Sequence, residues 1–206
     1  MTTQTISRSV TGTAAKASQE LQQIFRDAPE VARQGLKNLL PELSQDSGAD
    51  APHAESAGRV GVRLGSVSEL TLMAPFATGG AKRLRAMLQF LNGNFSNARK
   101  VGTLHNMRFV FLDNDKTLLF ATAYDGQWDP YIEDFAIKIP DEMDVIFSAC
   151  EGWPGIRNVQ KTKDWIFAHQ IPAEGWYVAD PDLTVAEAGR LKRIGKATEE
   201  FLDKIG

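Results

Sequence analysis

The sequence predicts an α+β domain in which the elements follow the order β-α-β-β-α-β, with helices on one face of an antiparallel sheet. Three observations carry this expectation. Residues 105–135 (HNMRFVFLDNDKTLLFATAYDGQWDPYIEDF) hold two apolar runs around the turn Asp113-Asn114-Asp115-Lys116, then Asp125-Gly126 ending the second run and Asp129-Pro130 opening a helix. Asn and Asp tolerate left-handed backbone and bond their own main chain, so the first part reads as a hairpin. Residues 69–76 (ELTLMAPF), the breaker Gly79-Gly80 and an apolar stripe at Leu84, Met87, Leu88 and Leu91 read as a strand followed by a helix over 81–92. Residues 143–150 (MDVIFSAC) alternate and predict a fourth strand. The resulting order is the ferredoxin-like one.

Taken from the beginning, residues 18–40 show helical spacing, with Leu21, Ile24, Phe25, Val31, Leu36, Leu39 and Leu40 mainly on one face. Pro29 suits a first helical turn and Asp27 can cap it, so two short helices are expected rather than one. Residues 44–58 (SQDSGADAPHAESAG) carry almost no large apolar side chain and read as a flexible linker in which His53 is solvated. The expected division is a helical extension over 1–43, a linker over 44–60 and the folded domain over 61–206. Hairpin strands are expected near 104–113 and 116–124, and a helix over 130–138, begun by an Asp129 cap and ended by Pro140. Beyond Trp153-Pro154-Gly155 a helix over 163–170 is expected, then a short strand at 176–179. The last helix starts at Thr184-Val185-Ala186-Glu187, a capping box in which the Thr hydroxyl and Glu carboxylate satisfy free N–H groups, and runs to about Lys204.

Composition narrows the function classes. With 43% hydrophobic residues in 206, the chain can bury a core without disulfides or metal. A net charge of −3 supplies no field favouring nucleic acid or anionic lipid. Cys150 is the single cysteine, which excludes an intrachain disulfide and any Cys-x-x-Cys site and suits a reducing compartment. No apolar run reaches the roughly 18 residues of a membrane span, and the start MTTQTISRSVTG lacks a signal-like apolar centre, so cytoplasmic is the simplest expectation.

Both faces of the strands carry apolar residues. In the first hairpin strand Met107, Phe109 and Phe111 point one way while Val110 and Leu112 point the other. Helices cover one face, so the other needs a second cover, and a second copy's sheet supplies it. Two such sheets face to face form a dimeric α+β barrel with an apolar cavity between them for a small apolar ligand.

Between about Leu70 and Leu191 the elements Ala74-Pro75, His105-x-x-Arg108, Tyr124-Asp125-Gly126, Cys150-Glu151-Gly152-Trp153-Pro154, His169-x-x-Pro172 and Trp176-Tyr177-Val178 follow one another in order. In these the chain resembles a bacterial group in the dimeric α+β barrel superfamily. The wider superfamily contains haem enzymes, such as dye-decolourising peroxidases and chlorite dismutases, and members without cofactor. The resemblance therefore implies a homodimer and, as one activity, a peroxidase-like oxidoreductase with haem as cofactor. The full peroxidase pattern Gly-x-x-Asp-Gly is absent, because Thr122 stands where its first glycine belongs.

A haem site needs an axial nitrogen, and His105 and His169 are the credible sources. On this reading His169 binds the cofactor, and His105, Arg108 and Asp125 form the catalytic set, with Arg108 or Asp125 polarising bound peroxide. Each has a plainer reading beside it. His169 suits a helix end, where the dipole favours its charge; His105 can bond a carbonyl at the sheet mouth; Asp125-Gly126 turns the chain. Glu133 and Asp134 fall in the first turns of a helix, where negative charge is favoured. A Cys150–His nucleophile competes with a small buried strand residue, and Gly79-Gly80 with Lys82 and Arg83 offers only a common anion-binding pattern. No metal set is expected, since the three histidines lack His-x-x-x-His spacing. Two classes remain: an oxidoreductase with or without haem, and a noncatalytic dimeric module binding a small apolar molecule, or a protein partner through the N-terminal helices.

Overall fold

The computed structural model describes residues 16–46, 54–91 and 93–205, with the side chains of 42–46 outside the description. The chain divides into two units, residues 1–51 and 52–206. In the first, helix α1 covers 16–24, a 3-10 turn covers Phe25–Asp27 and α2 runs Glu30–Asp46. Two helices form, as the sequence predicts. The Pro29 carbonyl accepts the first bonds, from Ala32 and Arg33, while Asp27 pairs with Arg26 and makes no cap. The second helix continues through Pro41 to Asp46, past the expected start of the linker at 44; residues 47–53, with His53, lie outside the described residues.

The second unit is a mixed α+β fold built on a five-stranded antiparallel sheet. Its strands are β1 (Glu55–Ser56), β2 (Val62–Leu64), β3 (Val67–Pro75), β4 (Leu104–Leu112) and β5 (Thr117–Asp125), in the spatial order β1-β2-β3-β5-β4. Glu55–Ser56, assigned to the linker by composition, is thus paired with β2. The β4–β5 turn is as the sequence predicts: Asp113, Asn114 and Asp115 take φ of 53°, 54° and 66°, a left-handed run these short polar residues accept. Arg85 of α3 (Gly80–Leu91) holds the turn with two bonds to Asp115 and lies 4.6 Å over the Phe111 ring. Gly80 is required by packing, since a Cβ there would meet the Ala149 carbonyl oxygen at 1.9 Å.

Helix α4 (Trp128–Lys138) begins one residue before Asp129, so Asp129 is in the first turn and not at the cap. Its carboxylate pairs with Lys163 instead. The largest departure follows. Residues 143–150 do not form a strand; Pro140–Phe147 is a helix, α5. Pro140 opens it at its first positions, Asp141 and Glu142 fill its first turn, and Met143, Ile146 and Phe147 bury one face while Val145 is exposed. Those are helix-start signals and a 3.6-residue period, and they override a superficial alternation. The order is therefore β-α-β-β-α-α. At the β3 edge, single bridges link Cys150 to Phe76 and Gln170 to Leu72.

Helix α6 (Val159–His169) starts four residues before the expectation, with the Asn158 side chain accepting from the Lys161 N–H. Residues 176–179 form no strand: they pair with nothing, and Tyr177 is exposed. Helix α7 (Val185–Ile205) opens with the expected capping box, Thr184 Oγ1 accepting from the Glu187 N–H at 3.2 Å and Glu187 Oε2 accepting from the Thr184 N–H at 3.1 Å. No helix among the described residues is long and apolar enough to cross a membrane.

The core lies on one side of the sheet. Leu70, Leu72, Ala74, Leu118, Phe120 and Tyr124 pack with Trp128, Tyr131, Ile132 and Phe135 of α4, with α5, and with Trp165 and Ile166 of α6. Met107, Phe109 and Phe111 join them, as strand alternation predicts. The alternate residues Thr71, Met73, Leu119, Val110 and Arg108 occupy the opposite face, where Val110 is 41% exposed.

Candidate functional site

A mostly apolar cavity lies on the helix-covered side of the sheet. It measures about 190 Å³ and lies between α3, the segment 94–98 that leads into the 3-10 turn Ser96–Lys100, β4, β5 and the α4–α5 pair. Its walls are Met87, Leu91, Phe95, Ala98, Met107, Phe109, Phe120, Phe135, Ile139, Met143, Ile146 and Phe147. The rings lock one another: Phe95 stacks over Phe109 with centroids 6.3 Å apart, Phe109 meets Phe120 at 5.1 Å, and Phe120 meets Phe147 edge-on at 5.2 Å. Polar groups are confined to Asn94, Ser96, Asn97 and Glu142, and the Asn97 amide donates to the Glu142 carboxylate. A cavity of this lining desolvates an apolar ring and offers polar groups only where Asn97 and Glu142 sit.

Neither the sequence-predicted catalytic set nor the candidate haem ligand lines this cavity. His105 and Asp125 do come together, with Nε2 and Oδ1 2.6 Å apart. The second carboxylate oxygen accepts from the Val185 N–H at 2.9 Å, so Asp125 joins β5 to the first turn of α7. His105 also lines an open groove with Arg99, Lys192 and Arg193. Arg108 is not part of that pair. It lies opposite Ala121, four residues from Asp125 along β5, roughly 13 Å at strand rise. It faces away from the main core and, among the described residues, makes no hydrogen bond or ion pair.

His169 is elsewhere again. Its neighbour Gln170 bridges Leu72 of β3, whereas His105 is on β4, so the two histidines sit at opposite edges of the three long strands, separated by roughly 14 Å across the strands and by a further roughly 10 Å or more along them. His169 Nδ1 is 2.8 Å from the Trp165 carbonyl oxygen and the ring lies 4.3 Å from the Trp165 ring. That leaves Nε2 as its remaining ligand atom. Haem needs an axial nitrogen aimed into a space that takes the macrocycle; the 190 Å³ cavity contains no such atom, so its residues do not fit haem.

Cys150 is buried, and burial pushes its thiol up to about 12, which keeps it protonated at neutral pH. Among the described residues, no group of three or more His, Cys, Asp or Glu side chains comes together as a metal site.

Sequence reasoning passed over two features. The first is the segment around Phe95, between the expected helix and hairpin, where a lone aromatic within NGNFSN was the available signal. The second is Lys163, 9% exposed at its side chain and 2.7 Å from both Asp129 and Glu133. Desolvation lowers its pKa, but the hydrogen bonds that its ammonium donates to the two carboxylates, with their charge, outweigh that and leave it raised. No family model, curated protein or solved structure matches this chain.

Proposed function

We propose that the unit of residues 52–206 is a binding module for a small, ring-shaped apolar molecule held in the Phe/Met-lined cavity. The observation that carries this reading is the chemistry of that cavity: twelve apolar residues in its walls, rings in mutual contact, and polar side chains confined to Asn94, Ser96, Asn97 and Glu142. Its volume of about 190 Å³ exceeds the roughly 150 Å³ of an engineered apolar cavity that takes benzene, so a substituted single ring or a small fused pair of rings suits it. The Asn97–Glu142 pair offers an acceptor for one N–H or O–H on that ring.

Indole is a suitable probe. Titration calorimetry and a thermal shift that grows with indole concentration are the expected results, because a ligand bound only by the folded state stabilises it. Met107→Trp, which fills the cavity, abolishes both. Absence of any shift up to the solubility of indole, in protein that is folded, sinks the reading.

β3, α3, β4, β5 and α4 follow the ferredoxin-like order, and Cys150 and Gln170 bridge the β3 edge where a fourth strand would lie. A homodimer of barrel type would cover the opposite sheet face. That arrangement supports a second reading, an oxidoreductase acting between two sheets, which is favoured by one observation: Arg108 stands unpaired on that face beside Val110 and opposite Ala121. Turnover of an oxidisable dye with peroxide, lost in Arg108→Ala with folding intact, would establish it in place of the binding module.

A further inference from the structure

We infer that the ligand of the Phe/Met-lined cavity is an aromatic ring carrying a cationic amine on a short arm, and that the Glu142 carboxylate receives the ammonium; this rests on the binding-module reading. Glu142 is the single charged residue lining the cavity, and no Lys, Arg or His joins it there. Its Oε1 accepts from the Asn97 amide, whereas Oε2 has no partner and Glu142 makes no ion pair among the described residues. Cations on the elements that form the walls are engaged elsewhere. Arg85 of α3 holds Asp115, Lys138 of α4 pairs with Asp134, and Arg99 of the 3-10 turn lines the separate groove beside His105. The counter-charge of this half-buried carboxylate is therefore left for the ligand to supply.

A helix start by itself favours acids, and the first turn of α5 holds two, Asp141 and Glu142. They differ in what they meet. Asp141 takes Arg157 as its cation, while Glu142, on the cavity side, takes none. The bond to Asn97 also ties α5 to the segment that carries Phe95, whose ring stacks over Phe109. Carboxylate and aromatic rings thus line one cavity, and each attracts an alkylammonium: the first by charge-assisted hydrogen bonding, the second through the negative face of the ring. Because Glu142 is only half-buried, the ammonium keeps part of its hydration while the ring is desolvated, which avoids the cost of enclosing a charge.

The test is titration calorimetry on the full chain with 2-phenylethylamine, 2-phenylethanol and phenylacetate, which share a shape and differ in charge, and with indole as the neutral reference. The amine should bind about tenfold tighter than the alcohol at low salt, and phenylacetate weakest. Glu142→Gln, which keeps an oxygen for the Asn97 amide, should abolish the amine preference, with the urea midpoint as folding control. Glu142→Ala is the second variant if Gln disturbs the helix start. Equal affinities for amine and alcohol in the unmodified chain overturn the inference and leave the binding-module reading standing, as does binding of indole alone. An amine preference that survives Glu142→Gln or Met107→Trp arises at surface acids and overturns it too. Absence of binding by all four compounds sinks the binding-module reading and the inference with it.

Discussion

The two faces of the sheet are built from alternate residues of the same three strands, yet they do different work. Toward the helices, Leu70, Leu72, Leu118 and Phe120 are at most 5% exposed and one wall of the apolar cavity is Phe120. On the other face, Met73 and Leu119 are only half-buried and Arg108 is exposed, while Val67, Glu69, Ala121 and Ala123 are buried. The first face holds the main core and one wall of the apolar cavity. The second is tied to α7 at Asp125 and leaves Arg108 and Val110 open to solvent. Stability and recognition are thus separated by the two-residue period of a strand.

The sharpest way to break that contrast is a pair of truncations one residue apart on β5. Phe120→Ala should cost about 3–5 kcal/mol, from lost burial and the void left among Phe109, Phe147 and Phe120's other neighbours. Leu119→Ala should cost less, about 1–2 kcal/mol, because part of its surface already meets solvent. Urea unfolding of both variants checks it. Equal losses would mean that the opposite face is covered in solution.

A middle-sized effect separates charge from packing on the covered side. Lys163 is nearly enclosed while Asp129 and Glu133 are more than half exposed, so the cost of breaking the triad depends on which partner is removed. Asp129→Asn/Glu133→Gln strands a desolvated ammonium and should cost about 2–3 kcal/mol. Lys163→Met keeps the stem and leaves only solvated carboxylates, at about 1 kcal/mol or less. The reverse ranking in chemical denaturation would show that the two acids are the strained members.

What the sequence made legible follows from how local each signal was. The β4–β5 hairpin and the α7 capping box are specified by residues within a few positions of one another, and both are present as expected. Residues 143–150 were misread because a short apolar run satisfies two periods, and the deciding information, Pro140 with Asp141 and Glu142, lies before it. The His105–Asp125 contact was within reach, since a hairpin brings its outer ends together. The cavity was not, because its walls come from α3, a connecting loop, β4, β5, α4 and α5 at once, and no local pattern announces a void. The separation of Arg108 and His169 from that pair is likewise a matter of sheet order, which hairpin spacing does not determine.

The smallest effect concerns the start of α7, which Asp125 ties to β5. The Glu187 carboxyl is held below its ordinary value, first by the Thr184 hydroxyl and then by the Thr184 N–H. A carboxyl whose folded pKa is depressed stabilises the fold at pH values above its unfolded pKa, near 4.3, and loses that contribution as pH falls through the lower folded value. Glu187→Gln keeps the shape of the capping box without the charge. Amide exchange at Val185 to Ala188 should therefore be faster in Glu187→Gln than in the unmodified chain at pH 6, with the two converging as pH drops below about 4. A gap that stays constant across that range would assign the cap to hydrogen-bond geometry alone, and would leave Asp125 as the only negative charge holding the first turn of α7.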